Sequence, residues 1–342
     1  MNAARGPLIC ICVPTYNSAA TLSGTLDSIL AQTYDNISIF VVDNASTDNS
    51  AAIADGYAVL DSRVRVLRHS ENVGAEGNFT RCLQLASGDY TAIYHSDDIY
   101  SPYMVEEQVS FLEQNPAAGA VLTMAIAIDA SGAEGRVYRL PKELHRGADG
   151  LYDFAAIFRS MLRNGNFLFC PSAMVRTPVY RDHIKKWDPG NFHTAADGDV
   201  WLRILQKYPI GIIDKPLLKY RISVSSFSYH AARGKTEPHD MVRLFDAYMK
   251  GPARGIIGDK ERKDFALLVM KDNINRSFNL LLSDKRNEAL SLLKSSLTPG
   301  IISYAFTSLI HVRVMVYGFF VFLITLIPLN AVFRKLLFKV RF

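Results

Sequence analysis

The chain has 342 residues, 49% of them hydrophobic and 21% charged, with a formal net charge of +5. This composition is typical of a packed globular protein and excludes a disordered chain. The length predicts one large domain plus an accessory region, because a single ordinary core does not extend over so many residues. The four scattered cysteines are interpreted as reduced core thiols, and the N-terminal apolar run is too short for a signal peptide, so we expect a cytoplasmic protein.

Short apolar runs alternate with amphipathic segments in the first half of the chain, which is the pattern of β-α-β units. The apolar runs predict strands at 8–13, 37–42, 64–67, 90–94 and 120–128. The segments between them predict helices at 21–32, about 49–60, 78–86 and 102–114. Right-handed crossovers make such a sheet mainly parallel and bring the strand carboxyl ends to one edge, where ligands bind.

Polar residues follow four of these predicted strands. They are Pro14, Thr15, Tyr16 and Asn17 after the first, Asp43, Asn44, Ser46 and Asp48 after the second, Asn72 and Gly74 after the third, and His95, Ser96, Asp97 and Asp98 after the fourth. A single polar loop carries little information, since such loops commonly contain helix caps, and we interpret Ser46 and Asp48 as caps. Four such loops at one edge of the sheet predict a ligand site.

Two adjacent carboxylates at the end of a buried strand repel each other unless a cation neutralises them. Asp97 and Asp98 therefore predict a site for a hard divalent ion, Mg²⁺ or Mn²⁺, which would in turn bind phosphate oxygens. The alternative is that the two aspartates cap the next helix and are solvated.

Four stretches of the sequence carry a resemblance to a known family. They are CVPTYNSAATLSGTLDSILAQTY (12–34), VVDNASTDNS (41–50), NVGAEGNFTRCLQLASGDYTAIYHSDD (72–98) and ADGDVWLRI (196–204). In order and spacing they resemble the inverting family 2 glycosyltransferases with the GT-A fold, over residues 8–205. The resemblance implies an α/β catalytic domain at 1–230 with a Rossmann-like, mainly parallel sheet flanked by helices. Its nucleotide-sugar half would lie at about 1–130 and its acceptor half at about 131–230.

The resemblance also implies roles for individual residues. The implied nucleotide-binding set is Pro14, Thr15, Tyr16, Asp43, Asn72, Gly74, His95, Ser96, Asp97 and Arg221. The family's Asp-X-Asp motif aligns with His95-Ser96-Asp97, so that a histidine replaces the first aspartate and the metal contacts fall on Asp97 and Asp98. Arg221 lies in a stretch that resembles the family's Tyr-Arg-x-His element near the diphosphate, with Ser223 in place of the histidine. A structural role for Arg221 on an exposed strand is the alternative.

The segment HTAADGDVWLRILQKY (193–208) resembles the family's acidic pair at the start of a helix. Ala196 replaces the first acid, Asp197 takes the position of the catalytic base, and Asp199 takes that of the later acid. Without the resemblance, Asp197 is equally well interpreted as a helix N-cap. The helix dipole favours the ionised form of such a carboxylate, so a strong base at this position needs an offsetting desolvation.

These motifs together imply an inverting, metal-dependent transferase. It would move a sugar, from a UDP-sugar by preference, to a hydroxyl of a lipid-linked or cell-surface glycan acceptor. A catalytically degenerate scaffold in a polysaccharide assembly complex is the alternative, because His95, Ala196 and Ser223 replace familiar residues. A nicotinamide dehydrogenase is disfavoured, since the first loop reads PTYNSAATL and lacks the glycine-rich dinucleotide fingerprint.

The C-terminal part differs in character from the rest. Residues 231–298 predict helices, and the run at 314–333 is apolar and uncharged. The positive excess lies in 231–342, which favours an anionic membrane surface over nucleic acid as partner. We therefore expect 299–342 to form a peripheral or re-entrant helix and tail at the cytoplasmic face of the membrane. A helix in a homo-oligomer interface is the alternative.

Overall fold

The computed structural model describes residues 6–145, 149–222, 235–306 and 309–327. The chain divides into two compact units, residues 1–223 and 224–342. The first unit is an α/β domain and the second is helical. Ser223, named in the comparison with the Tyr-Arg-x-His element, lies outside the described residues, as does the basic tail 328–342.

A ten-stranded sheet forms the centre of the first unit, in the order β3-β2-β1-β4-β9-β6-β10-β5, with β7 beside β6 and β8 beside β10. Its strands are β1 (Ile9–Thr15), β2 (Ile37–Asp43), β3 (Val64–Arg68), β4 (Tyr90–Ile93), β5 (Ile99–Tyr100), β6 (Ala120–Ile128), β7 (Glu134–Val137), β8 (Leu151–Tyr152), β9 (Met174–Arg176) and β10 (Ile210–Arg221). The strands β1, β2, β3, β4, β6 and β10 run in one direction, and β5, β7, β8 and β9 run against them. This arrangement confirms the expected mainly parallel sheet.

The predicted helices are present in the first unit, and two more follow them. They are α1 (Leu22–Leu30), α2 (Ser50–Leu60), α3 (Gly74–Leu85), α4 (Met104–Gln114), α5 (Phe154–Asn164) and α6 (Ala196–Leu205). The helix α3 begins a full turn earlier than predicted. Its first turn, Gly74 to Gly77, carries no apolar period, so the sequence pattern gave no signal there.

The strand β9 was not predicted, and it inserts antiparallel between β4 and β6. Ala92 of β4 pairs with Met174, and Ala120 of β6 pairs with Val175. A three-residue strand that pairs with partners distant in sequence leaves no local periodicity to detect. Its position makes the segment around residue 170 part of the sheet centre, next to the strand that ends before His95.

The strand β1 is buried on both faces, as expected for the centre of a sheet covered by helices. Cys10 and Cys12 lie on one face, with their Sγ atoms 3.9 Å apart. All four cysteines are buried and free, which confirms their interpretation as reduced core thiols.

The second unit consists of helices packed on one long central helix. They are α7 (Asp240–Lys250), α8 (Asp259–Leu282), α9 (Arg286–Ser296), α10 (Pro299–Ala305) and α11 (Leu309–Leu326). A core that includes Ile274 and Phe278 of α8 and Val321 of α11 joins α8, α9, α10 and α11. Within the described ranges, no helix combines the length and the apolar character that crossing a bilayer requires.

Candidate functional site at the carboxyl edge of the sheet

The ends of β1, β2 and β4 lie side by side and bring the predicted polar loops together. The last residues of β1 and β2, Thr15 and Asp43, are register partners in the parallel pair, and β4 lies on the other side of β1. The first and fourth loops are joined by the hydroxyls of Ser18 and Ser96, which lie 2.8 Å apart. Thr21 also donates a hydrogen bond to the carbonyl of Ser96 over 2.9 Å. The loops therefore form one connected rim.

Asn44 joins the second loop to the third. Its side-chain amide donates to Asn72 Oδ1 over 2.9 Å, and its Oδ1 accepts from the backbone N–H of Val73 over 2.9 Å. Asn72 Oδ1 also accepts from the N–H of Gly74, which has a φ of +78°. This buried amide was named among the polar residues of the sequence but received no role, because its partners are set by tertiary structure.

The first two loops place an exposed ring near a buried carboxylate. Tyr16 is 46% exposed, whereas Asp43 is buried. Both carboxylate oxygens of Asp43 lie 3.4 Å from the backbone nitrogen of Ser46. The hydroxyl of Thr15 donates to the carbonyl of its own strand residue Val13, so that side chain is engaged locally. Pro14 is partly buried in β1. The rim thus contains an exposed aromatic ring, that of Tyr16, and a carboxylate that can accept hydrogen bonds, that of Asp43.

An acidic tip follows β4. Asp98 is fully buried, and its Oδ1 accepts from the N–H of Arg221 over 2.7 Å. Its Oδ2 has no hydrogen-bond partner among the described residues, and the same is true of His95 Nε2. Burial, reinforced by the charge of Asp97, raises the pKa of Asp98, and burial lowers the pKa of His95.

This tip has the composition of a divalent-cation site. One donor atom from each of His95, Asp97 and Asp98 lies within 4.8 Å of the others. Carboxylate oxygens and an imidazole nitrogen suit Mn²⁺, and a cation there would neutralise the carboxylates and occupy the buried atoms that lack partners. The residues present therefore fit the predicted ion.

Arg221 stabilises this tip through hydrogen bonds from its backbone N–H and its guanidinium group. Nε donates to the carbonyl of Asp97 over 2.8 Å, and Nη1 donates to the carbonyls of Asp129 and Ala130 over 2.7 and 3.2 Å. These contacts favour the structural alternative for Arg221, because the described bonds of its side chain go to backbone carbonyls.

Asp197 lies in the first turn of α6. Its Oδ2 accepts from Asn166 Nδ2 over 2.9 Å, and its Oδ1 accepts from the N–H of Gly198 over 2.7 Å. Burial raises the pKa of Asp197 to about 6, although both hydrogen bonds lower it. The required desolvation is therefore present, and the carboxylate is a base suited to near-neutral pH. Asn166 was not predicted, since no motif or periodicity marks it.

Asp199, two residues further along, has a different environment. Its Oδ2 accepts from Arg203 Nε over 2.7 Å one helical turn later, and both side chains are largely buried. Arg203 in turn donates to the carbonyls of Ile184 and Trp187 over 3.1 and 2.9 Å. This pair anchors the segment before α6 to the helix.

The acidic tip and Asp197 border a common region. Burial raises the pKa of Tyr220, and the charges of Asp98, Asp97 and Asp197 raise it further. Burial likewise raises the pKa of Cys170, with added contributions from Asp197 and Asp98. One carboxylate suited to proton removal and one cluster suited to a cation thus lie within electrostatic reach of the same side chains.

Residues 10–184, slightly more than half of the chain, match the family described as Glycosyl transferase family 2. The chain belongs to glycosyltransferase family 2. This assignment agrees with the rim described above, because the match covers all the loops after β1 to β4.

Two curated relatives show the extent of the similarity. The glycosyltransferase GlyG of Streptococcus pneumoniae serotype 4 is 39% identical over 110 residues, 32% of this chain and 36% of GlyG. The Escherichia coli protein WfgD, a UDP-Glc:alpha-D-GlcNAc-diphosphoundecaprenol beta-1,3-glucosyltransferase, is 36% identical over 111 residues, 32% of this chain and 42% of WfgD. The chain thus spans less than half the length of these relatives.

Two solved structures share the fold. Residues 1–349 of S. aureus TarS, in complex with UDP-GlcNAc, align with a TM-score of 0.54 and 14% identity, covering 84% of this chain and 90% of that chain. The mannosyltransferase PcManGT from Pyrobaculum calidifontis, in complex with GDP-Man and Mn²⁺, aligns with a TM-score of 0.55 and 16% identity, covering 98% of this chain and 87% of that chain. These likenesses confirm the GT-A-like α/β architecture.

Proposed function

We propose that this protein transfers a sugar from a nucleoside-diphosphate donor, by preference a UDP-sugar, to a hydroxyl of a lipid-linked or cell-surface glycan, with inversion at the anomeric carbon. The proposal depends on the presence of two features in one site. One is the candidate base Asp197, whose pKa is raised to about 6, and the other is the group of possible metal ligands that includes Asp98. The UDP-GlcNAc in the TarS complex and the UDP-Glc in the name of WfgD support the donor class, and the diphosphoundecaprenol-linked sugar in the name of WfgD supports the acceptor class.

The nucleotide would bind across the first two loops. Tyr16 offers an exposed aromatic face on which a base can stack, and Asp43 offers a carboxylate that accepts a hydrogen bond from an imide N–H. The hydrogen bonds from Asn44 to Asn72 and between Ser18 and Ser96 hold the loops in fixed positions relative to one another. The rim is therefore preorganised before the donor arrives.

The leaving group would lie at the acidic tip. His95, Asp97 and Asp98 are the residues that would hold Mg²⁺ or Mn²⁺, which when bound supplies charge neutralisation for the diphosphate. Arg221 holds the turn that carries these side chains by binding the carbonyl of Asp97.

Asp197 would act as the general base. Its carboxylate takes the proton of the acceptor hydroxyl while the hydroxyl oxygen forms a bond to the anomeric carbon. On the opposite face the bond from that carbon to the diphosphate oxygen breaks, and its electron pair leaves with the nucleotide. Asn166 holds the carboxylate in place during this step. A single displacement of this kind inverts the configuration and needs no covalent intermediate.

The test is the release of nucleoside diphosphate from a panel of sugar nucleotides, with a lipid-diphosphate saccharide as acceptor. We expect Asp197→Asn to lower kcat at least about a hundredfold, since a positioned base contributes that much. Asp182→Asn, at an exposed carboxylate paired with Arg181, is the matched control and should leave kcat unchanged. Full activity of a folded Asp197→Asn variant would refute the base assignment. Nucleotide binding by the parent protein without turnover of any donor would instead support the scaffold alternative.

A further inference from the structure

The helix α11 in the second unit has apolar side chains on two opposite faces. The inner face packs in the core of the unit through Val321 and Ile324. The outer face carries an exposed stripe, which consists of Val316, Phe319, Phe320, Leu323, Leu326 and Ile327. Members of the stripe recur every three or four residues and therefore lie along one side of the helix.

The exposure of this stripe is large for side chains of this kind. Val316 is 65% exposed, Phe319 60%, Phe320 50% and Leu323 44%. No charged residue occurs between Arg313 and Ile327. A continuous exposed apolar surface on a soluble domain marks a site of interaction with a partner or a membrane.

Contacts within the helical unit hold α11 in one orientation, with the stripe on its outer side. Arg286 of α9 donates through Nη2 to the carbonyl of Leu326 over 2.6 Å and through Nε to the carbonyl of Thr325, which holds the last turn of α11. Gly318 packs closely on α8, because a Cβ at this position would lie 2.7 Å from Ile274 Cδ1. With its inner face and its end held, α11 lies against the unit and presents the stripe outwards.

The charge of the surrounding sequence identifies the occupant. After Glu288 the sequence contains no aspartate or glutamate, but it contains Lys294, Arg313, Arg334, Lys335, Lys339 and Arg341. In the sequence after Glu288 the apolar stripe is thus accompanied by positive charges and by no carboxylate, a combination that complements the acyl boundary and the anionic headgroups of a bilayer. We propose that the outer face of α11 binds the surface of a membrane that contains anionic lipids, with the helix lying in the plane of the interface.

This inference goes beyond the proposed reaction and does not depend on it. It is tested by co-sedimentation of the purified full chain with phosphatidylcholine vesicles, with and without phosphatidylglycerol, at low and high salt. We expect binding to the vesicles with phosphatidylglycerol and a marked loss of binding at high salt, because the headgroup attraction is screened. Replacing Phe319 and Leu323 by glutamine should weaken binding more than about tenfold, since two buried apolar side chains are lost.

The matched control replaces Val59 and Leu60 by glutamine at the end of α2, where both side chains are more exposed than any in the stripe. This control should bind vesicles like the parent, and circular dichroism should show both variants folded. Equal binding of the stripe variant and the parent would overturn the proposal. A parent that binds no vesicles would overturn it as well, and a dimer that the stripe variant breaks would then identify a second copy of the chain as the occupant.

Discussion

The side-chain amide of Asn166 donates a hydrogen bond to the carboxylate of Asp197 over 2.9 Å, from the loop after α5 to the first turn of α6. A hydrogen bond to the charged form lowers the pKa of a carboxyl group, whereas burial raises it. At Asp197 burial is the larger effect, and the resulting pKa is about 6. The asparagine therefore limits the rise and keeps the carboxylate ionised at neutral pH.

Removal of this amide should shift the pH dependence of the reaction. In the parent, kcat/KM should fall as the pH drops through about 6, because the protonated carboxyl group of Asp197 cannot accept a proton. In Asn166→Ala this acidic limb of the pH profile should move about one to two pH units higher, since a hydrogen bond to a charged group is worth about 1.5–3 kcal/mol. Asn164→Ala removes a comparable bond to Glu143 and should leave the limb in place. If the acidic limb of the kcat/KM profile does not move in Asn166→Ala, Asn166 does not lower the pKa of Asp197.

The same burial predicts a pH-dependent change in stability. The pKa of Asp197 is raised from 3.8 to about 6 in the folded protein, so the favourable contribution of the protonated group is present at low pH and is lost as the pH rises through about 6. Asparagine does not titrate. The free energy of unfolding of Asp197→Asn, relative to the parent, should therefore increase by about 1–2 kcal/mol between about pH 4 and pH 7, after allowance for partial solvent screening.

Urea unfolding at several pH values measures this difference. Asp182→Asn provides a control in which the pH dependence of stability should have the opposite sign, because the hydrogen bonds that Arg181 donates to the carboxylate of Asp182 lower the pKa of Asp182. That variant should lose stability relative to the parent as the pH rises from the acid range. A relative stability of Asp197→Asn that does not change with pH would show that its carboxyl group is not desolvated.

Sequence patterns predicted the parts of the fold that repeat locally. The strand before His95 follows from an apolar run, and the meeting of the strand carboxyl ends at one edge follows from the handedness of β-α-β crossovers. What depends on tertiary contacts was missed. The strand β9 has too few residues to show a period, and Asn166 acquires its role only through a partner that lies 31 residues away.

The interpretation of Arg221 shows a second limit. A basic side chain near an acidic tip suggests a phosphate contact, but a sequence does not reveal which carbonyls lie within its reach. The turn after Ile128 brings two of them to its guanidinium group. Long side chains are therefore the least predictable part of such a site, because their partners come from distant loops.

Replacement of Asp98 tests the cation cluster. In Asp98→Asn the amide oxygen can still accept from the N–H of Arg221, so the turn should remain folded while the ligand charge is lost. With Mn²⁺ present, we expect the Kd for UDP to increase about tenfold or more, because the diphosphate loses its neutralised site. Isothermal titration of parent and variant with UDP, with Mn²⁺ and with EDTA, measures this effect. The two proteins should bind alike in EDTA, and an equal response to Mn²⁺ would place the ion elsewhere.

Loss of the Asn44 amide should destabilise the rim. The buried side chain makes three contacts with the third loop: it donates to Asn72 Oδ1 and to the carbonyl of Gly74 over 3.1 Å, and it accepts from the N–H of Val73. Asn44→Ala leaves these groups without that partner, so we expect the free energy of unfolding to fall by about 2–3 kcal/mol. Asn36→Ala, which removes one exposed bond to the carbonyl of Gly6, should cost about 1 kcal/mol or less. Urea unfolding measures both changes, and equal losses would show that Asn44 does not hold the two loops together.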